Sequence, residues 1–207
     1  DRFWRKTRSY PRPGNSIIDS IVNLCVGADP NRNWNYHWGG PGGSGNPCAA
    51  NYRGRDNSSE IEVQNLQNFI MSKRDSLKMY LSLHSYSQLI LIPWGHSYKL
   101  ADDYEEMYEI AEKALTRLEK VQGTTYRAGS TSNILYPAAG GSHDWAKGVA
   151  GIKYSYTVEL PDRGFYGFLL PASRIKSTGQ ETLELVKSMA EDMMEIYYFK
   201  NSSRLRS

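Results

Sequence analysis

Short apolar runs alternate with amphipathic helical patterns after residue 58, and that order confines the chain to the α/β class. The first helix is predicted over residues 59–73. Ser59 is placed to cap it, Glu60 and Glu62 lie in its first turn, and Val63, Leu66 and Ile70 share one face. Residues 79–84 read as a buried strand and 89–93 as a second short one. A second helix is predicted over 102–121, with Tyr104, Met107, Ala111, Leu115 and Leu118 as its stripe and Gly123 at its C-terminal end. Residues 155–160 alternate like a strand. The last helix is predicted over 178–200, opened by a Thr178/Glu181 capping box, with Leu183, Val186, Ala190, Met193 and Tyr197 as its core face. These stripes read as core rather than as cofactor contacts. No internal repeat or low-complexity tract interrupts the pattern.

Residues 1–45 are different. They hold Pro11, Pro13, Pro30 and Pro41 and a cluster of glycines from Gly39 to Gly45, and they read as irregular apart from one short strand at 22–26. A segment of that length without regular structure is expected to be functional or packed against something else. The 207 residues suit one large domain. Lys and Arg number 25 against 22 Asp and Glu, and the two signs are mixed along the chain, which argues against a nucleic-acid surface. No stretch approaches 18 uninterrupted apolar positions, so no membrane span is expected. Five Trp, fifteen Tyr and five Phe exclude a solvated coil.

The chain opens at Asp1, with no basic start followed by an apolar run, so no signal peptide is read and the chain is expected to be a processed product or a fragment. Cys25 and Cys48 are its only cysteines. They are either two buried free thiols or a disulfide whose loop closure contributes about 3 kcal/mol. Asn57-Ser58-Ser59 and Asn201-Ser202-Ser203 fit the N-glycosylation pattern and lend weak support to secretion.

Chemistry-bearing residues are few. His37, His84, His96 and His143 form no close pair, so spacing alone gives no metal motif, and a lone histidine at a strand end is ordinarily structural. Glu159 ends an otherwise apolar and aromatic strand. A carboxylate there is costly unless it is paired or used, and strand carboxyl ends are where open α/β sheets bind ligands. It reads equally as a salt-bridged structural group and as a general base. Arg5 and Arg32 carry planar forks that match a carboxylate, with Asn31 beside Arg32; the alternative is solvated surface charge. There is no Walker or Rossmann glycine loop and no Gly-x-Ser-x-Gly elbow.

Six segments taken together resemble the zinc metallocarboxypeptidases of the pancreatic A/B type. They are Trp4-Arg5-Lys6-Thr7-Arg8, Gly27-Ala28-Asp29-Pro30-Asn31-Arg32-Asn33-Trp34, Leu83-His84-Ser85-Tyr86-Ser87-Gln88, Tyr136 with Gly140-Gly141-Ser142-His143-Asp144-Trp145, Thr157-Val158-Glu159-Leu160, and the run Gly164 to Pro171. The resemblance implies an exopeptidase that removes single C-terminal residues from peptides and proteins with one Zn2+. By position, His84 resembles a zinc ligand, Glu159 the general base, and Arg5 the group that steadies the oxyanion. Asn31 and Arg32 resemble the clamp on the terminal carboxylate, Tyr136 the tyrosine that closes over the bound residue, and Tyr86 and Phe168 subsite walls. Cys25 and Cys48 match the family disulfide, which fits a secreted, extracellular protein. Glu159 would sit at a sheet edge facing the metal, and the irregular N-terminal third would form the funnel that takes substrate. Non-proline cis peptides are implied at Ser85-Tyr86 and Pro93-Trp94.

One departure stands out. The family's other zinc ligands come as His-x-x-Glu ahead of the segment matching Trp4, and the chain begins after that point. Residues 1–207 therefore read as one partial peptidase domain, roughly the C-terminal two thirds of a mixed-sheet α/β/α carboxypeptidase without its N-terminal strands, and the missing part is a candidate partner. Pro161 stands where the family often has Arg, and Ala49-Ala50 replaces a common polar-acidic pair. The position of His143 lines the floor of the family's specificity pocket, with Leu91, Gly95 and Thr131 as walls. A histidine there suits neither Lys nor Arg, unless it merely packs against Trp145. The competing class is a module that binds peptide C-termini without catalysis.

Overall fold

The computed structural model describes residues 2–10 and 25–204, with side chains described through residue 198. In chain order the elements are α1 (Ile61–Lys73), β1 (Met79–Ser85), β2 (Leu89–Ile92), α2 (Tyr104–Gln122), β3 (Arg127–Ser130), α3 (Thr131–Ile134), α4 (Ser142–Gly148), β4 (Tyr154–Leu160) and α5 (Ile175–Arg204). Single 3₁₀ turns occur at Pro30–Arg32, Gly167–Leu169 and Ala172–Arg174. The architecture is mixed α/β, as the alternation of patterns predicts. No described helix is long and apolar enough to cross a membrane.

The described residues group into two compact units. One takes those of Asp1–Tyr80, Pro93–Leu100 and Ser130–Ser155; the other takes those of Leu81–Ile92, Ala101–Gly129 and Tyr156–Ser207. The first unit builds its core from Trp34, Val63, Ile70, Trp145, Ala146, Ala150 and Ile152, with the two indoles 5.0 Å apart. Its long irregular segment is ordered by buried polar side chains rather than by regular structure. Asn33 is fully buried. Its amide nitrogen donates to the carbonyls of Arg53 and Asp56 and to Ser59 Oγ, and its Oδ1 accepts from Glu60 N–H. The buried Glu60 carboxylate accepts in turn from Thr7, Ser9 and Ser59 hydroxyls, which ties the N-terminal strip to the start of α1. Each buried polar group thereby recovers the hydrogen bonds that it loses to water. Cys25 and Cys48 form a disulfide across the same region.

In the second unit β2 runs antiparallel to β4, with Leu89 opposite Glu159, Ile90 opposite Val158 and Leu91 opposite Thr157. The sheet order is β1-β4-β2-β3, so β4 is an interior strand and Glu159 does not stand on a sheet edge. Helix α2 packs along α5 and against β2. Arg117 on α2 pairs with Glu184 and Glu191 on α5, and Tyr156 on β4 donates its hydroxyl to the Met107 carbonyl at 3.2 Å. Gly123 ends α2 in the left-handed conformation (φ 78°), where its N–H reaches the Glu119 carbonyl at 2.7 Å.

Several expectations are corrected. Helix α1 starts at Ile61 with Glu60 at its N-cap; Ser59 bonds the Glu60 carboxylate instead of capping the backbone. Its buried face is Val63, Gln67 and Ile70, whereas Leu66 is 51% exposed. Strand β1 is half-buried rather than buried, and β4 is buried through Val158 rather than alternating. Helix α5 begins at Ile175, so Thr178 lies inside it and Glu181 accepts from Thr124 instead of closing a capping box. The buried residues of α5 are Glu181, Leu185, Ser188 and Met189, while Leu183 is 56% exposed. Strand β3 and helices α3 and α4 went unforeseen; they are short, and α4 buries Ser142, His143 and Asp144, which reverses the usual polarity pattern. Positions 22–24 of the expected early strand lie outside the described residues, and Cys25 and Val26 are not in a strand.

Candidate functional site

In the first unit, Asp29-Pro30-Asn31-Arg32 makes its own turn. Proline fixes the backbone at the first position and the Asp29 side chain caps it, Oδ1 accepting from Asn31 N–H at 3.0 Å. The other oxygen of this buried carboxylate accepts from Arg5, from Nε at 3.0 Å and Nη2 at 2.9 Å. One carboxylate thus sets both the turn and the half-exposed guanidinium, and Arg5 Nη1 stays outside the pair.

The turn leaves donors free. Asn31 Oδ1 accepts the backbone N–H of Ser142 at 2.9 Å, so the amide is held and its NH2 group is left to donate. Arg32 is 6% exposed; its Nε donates to the Gly42 carbonyl at 3.1 Å and its Nη1 to the Asn31 carbonyl at 2.8 Å. Its Nη2 makes no hydrogen bond among the described residues. Two adjacent residues therefore present fixed N–H donors, one of them charged, which is the arrangement that recognises a carboxylate. Gly140 (φ 70°) allows the close approach: a Cβ there would lie 2.5 Å from the Arg32 carbonyl oxygen.

His143 is buried on α4, with Nε2 3.0 Å from Thr131 Oγ1 and 3.3 Å from Asp144 Oδ1. Burial pushes its pKa down; Asp144 opposes this, and the Arg32 and His96 charges add to it. Asp144 is fully buried. It accepts from the N–H groups of Gly95 and His96 and lies 2.9 Å from His96 Nδ1. Burial pushes the Asp144 carboxyl up, but His143, the His96 ring and the two backbone donors outweigh burial and hold it below its usual range. The His37 and His96 rings stack at 3.7 Å. Tyr136 is 50% exposed in the segment after α3. Trp145 donates its indole N–H to Asn35, and His143 Nε2 lies within hydrogen-bond distance of Thr131 Oγ1.

In the second unit, His84 and Glu159 stand on neighbouring strands, β1 and β4. Both are half-buried, so Glu159 is less enclosed than its strand suggests; His84 Nε2 lies 2.9 Å from Ser82 Oγ. Tyr86 meets Phe168 edge to face at 4.9 Å. Phe168 is carried by a loop wound around Asp162, whose carboxylate accepts from the N–H groups of Gly164, Tyr166 and Gly167. Those donors, that of Tyr166 foremost, hold its pKa below the usual range. Leu91 is buried on β2. The peptides Ser85-Tyr86 and Pro93-Trp94 are cis, as the resemblance implies, and Pro161-Asp162 is cis as well.

Asp29, Asp144 and Asp162 are the organising residues that sequence reasoning left without a role. Asp29 and Asp162 had local signals, an Asp before Pro and an Asp two residues before Gly; Asp144 lies in the first turn of α4, a helix that the sequence did not announce. Among the described residues, no three His, Cys, Asp or Glu side chains are grouped so that they could hold a metal ion.

The zinc carboxypeptidase family model matches residues 1–185. Carboxypeptidase B of Astacus astacus is 47% identical over 197 residues, which cover 95% of this chain and 62% of that protein. Carboxypeptidase A2 of Mus musculus is 44% identical over 198 residues, covering 96% of this chain and 45% of that protein. The structure of bovine thrombin-activatable fibrinolysis inhibitor in complex with tick carboxypeptidase inhibitor superposes with a TM-score of 0.87 at 40% identity, over 94% of this chain and 63% of that one. The chain thus spans about half to two thirds of the length of these relatives. A family match over most of the chain, with Arg5, Asn31, Arg32, His84 and Glu159 all inside the matched residues, places it plainly: the chain belongs to the zinc carboxypeptidase family.

Proposed function

We propose that this chain is the terminus-recognising and proton-transferring part of a carboxypeptidase that removes single C-terminal residues from peptides and proteins. The observation that carries the reading is the turn at Asn31 and Arg32, whose unengaged Asn31 NH2 and Arg32 Nη2 are suited to a terminal carboxylate. Recognition of a chain end, rather than of a peptide interior, makes the activity exopeptidase.

Arg5, half exposed and steadied by Asp29, supplies positive charge where an oxyanion develops. Glu159 takes the proton of the attacking water and passes it to the leaving amine. Tyr136 is exposed enough to close over the bound residue, and Tyr86 with Phe168 forms an aromatic wall for the peptide upstream. His143 lines the pocket for the C-terminal side chain, and the positive Arg32 near it disfavours Lys and Arg there. Catalytic zinc ordinarily has three protein ligands and acts as a Lewis acid when bound. The described residues do not fit a complete site, and His84 is the one ligand that we assign. The single peptidase domain, the secreted location and the need for a further segment to complete the metal site belong to the same proposal; the disulfide and the exposed Asn57 sequon agree with secretion.

A second reading is favoured by that incomplete ligand set: a module that binds peptide C-termini without cutting them. Incubating the zinc-supplemented protein with a defined peptide and following its mass separates the two. Stepwise loss of C-terminal residues, abolished by Glu159→Gln, supports the peptidase. Retained binding of a free C-terminus with no mass loss supports the module.

A further inference from the structure

A buried carboxylate in the second unit keeps one oxygen unused. Glu181 on α5 is 3% exposed, and its Oε1 accepts from the Thr124 hydroxyl. Its Oε2 makes no hydrogen bond among the described residues and is not fully enclosed. Glu181 lines a cavity of about 220 Å³ formed by the loop after β4, the C-terminal end of α2 and the first turns of α5, so Oε2 is open to that space.

The neighbouring groups leave the charge unmatched. Of the two carboxamides at the cavity, Gln122 donates to the Ser177 carbonyl and Gln88 to the Thr125 carbonyl. The Tyr126 hydroxyl is buried with no hydrogen-bond partner among the described residues, and the Glu181 charge adds to the burial that pushes its pKa up. Arg174 also lines the cavity, but it is exposed and makes no ion pair among the described residues. A buried carboxylate with an unmatched oxygen is costly, and a cation on Oε2 offsets that cost with a charge-assisted hydrogen bond.

The walls indicate which cation fits. Among the described residues no three His, Cys, Asp or Glu side chains group to hold a metal ion, and Asp162, the second carboxylate at the cavity, already accepts three backbone N–H groups. Pro161 and Leu170 offer apolar surface for an alkyl stem, and Phe165 and Tyr166 offer aromatic faces that favour positive charge. We infer that this cavity binds a primary alkylammonium group, with the ammonium on Glu181 Oε2 and the stem along Pro161 and Leu170. The site lies in the second unit, whereas Asn31 and Arg32 belong to the first, so the inference does not rest on the terminus clamp.

The test compares hexylammonium with 1-hexanol, equal in chain length and different in charge, by calorimetric titration of the full chain and by ¹⁵N amide spectra. Expected are at least tenfold tighter binding of hexylammonium, as one charged hydrogen bond gives, and amide shifts confined to residues 122–124 and 161–181. Glu181→Gln keeps an acceptor for Thr124 and should bring the two ligands to equal affinity. Arg174→Ala, at an exposed position that leaves the core untouched, should tighten hexylammonium binding about twofold by removing a like charge. Nα-acetyl-lysinamide separates the sources of the group: binding as tight as that of hexylammonium assigns the site to lysine side chains, and weaker binding assigns it to free amines. Equal binding of hexylammonium and hexanol, no saturable binding, shifts centred outside these segments, a difference that survives Glu181→Gln, or no tightening in Arg174→Ala overturns the inference and leaves the clamp intact.

Discussion

Asp29 holds Arg5 by two nitrogens with one oxygen and caps the backbone of Asn31 with the other, so a single buried carboxylate fixes two groups assigned to substrate. Asp29→Ala should lower stability by about 1–2 kcal/mol through loss of the cap and an ion-pair acceptor. Asp29→Asn keeps an acceptor for the Asn31 N–H and should retain most of that stability while freeing Arg5. Urea unfolding of the two variants checks this; unchanged stability in Asp29→Ala would contradict it.

Gly140 tests how tightly the turn is packed. Its φ of 70° and the 2.5 Å approach of a Cβ to the Arg32 carbonyl leave no room for a side chain. Gly140→Ala should cost about 1–3 kcal/mol and move Arg32, so stability and acid binding fall together. Gly123, also at positive φ but with open space around its Cβ position, is the control: Gly123→Ala should affect stability alone.

His143 makes stability depend on pH with a definite sign. Its folded pKa lies below the ordinary 6.5, chiefly because of burial, so near that value the unfolded chain binds more protons than the folded one. Stability therefore rises with pH through this window and is lost as pH falls below about 6.5. His37 shifts in the same direction, through burial and the neighbouring His96. Asp144, held low, adds stability that is present above the unfolded carboxylate value and lost only in stronger acid. Urea midpoints between neutral and mildly acid pH should fall, and His143→Gln should flatten that fall.

Cys25 and Cys48 close a loop across 23 positions. Reduction, or replacement of both by Ser, should lower stability by about 3 kcal/mol. Denaturant unfolding with and without reductant reads this directly.

The regular elements were legible where one periodicity ruled. The stripe Met107, Ala111, Leu115 and Leu118 is buried as read, because α2 has a single covered face. Helix α5 misled because its buried row includes Glu181 and Ser188, whose polarity hides the stripe, while Leu183 lies outside it. Arg32, Asn31, His84 and Glu159 stand out as site candidates through the family resemblance, since their spacing alone reads as well as structural or surface residues. What orders the irregular segment of the first unit was not legible. Asp29, Asn33, Asp144 and Glu60 act through long-range hydrogen bonds to segments 20 to 53 residues away, and no local pattern announces those partners.

The central claim is that Asn31 and Arg32 receive a free carboxylate. Its most direct test is a calorimetric comparison of an N-acetyl amino acid with the matching C-terminal amide. The account predicts that the acid binds at least tenfold more tightly than the amide, the worth of about 1.5 kcal/mol from one charged hydrogen bond, and that Arg32→Ala removes the difference. Equal binding of acid and amide by the unmodified protein would contradict it.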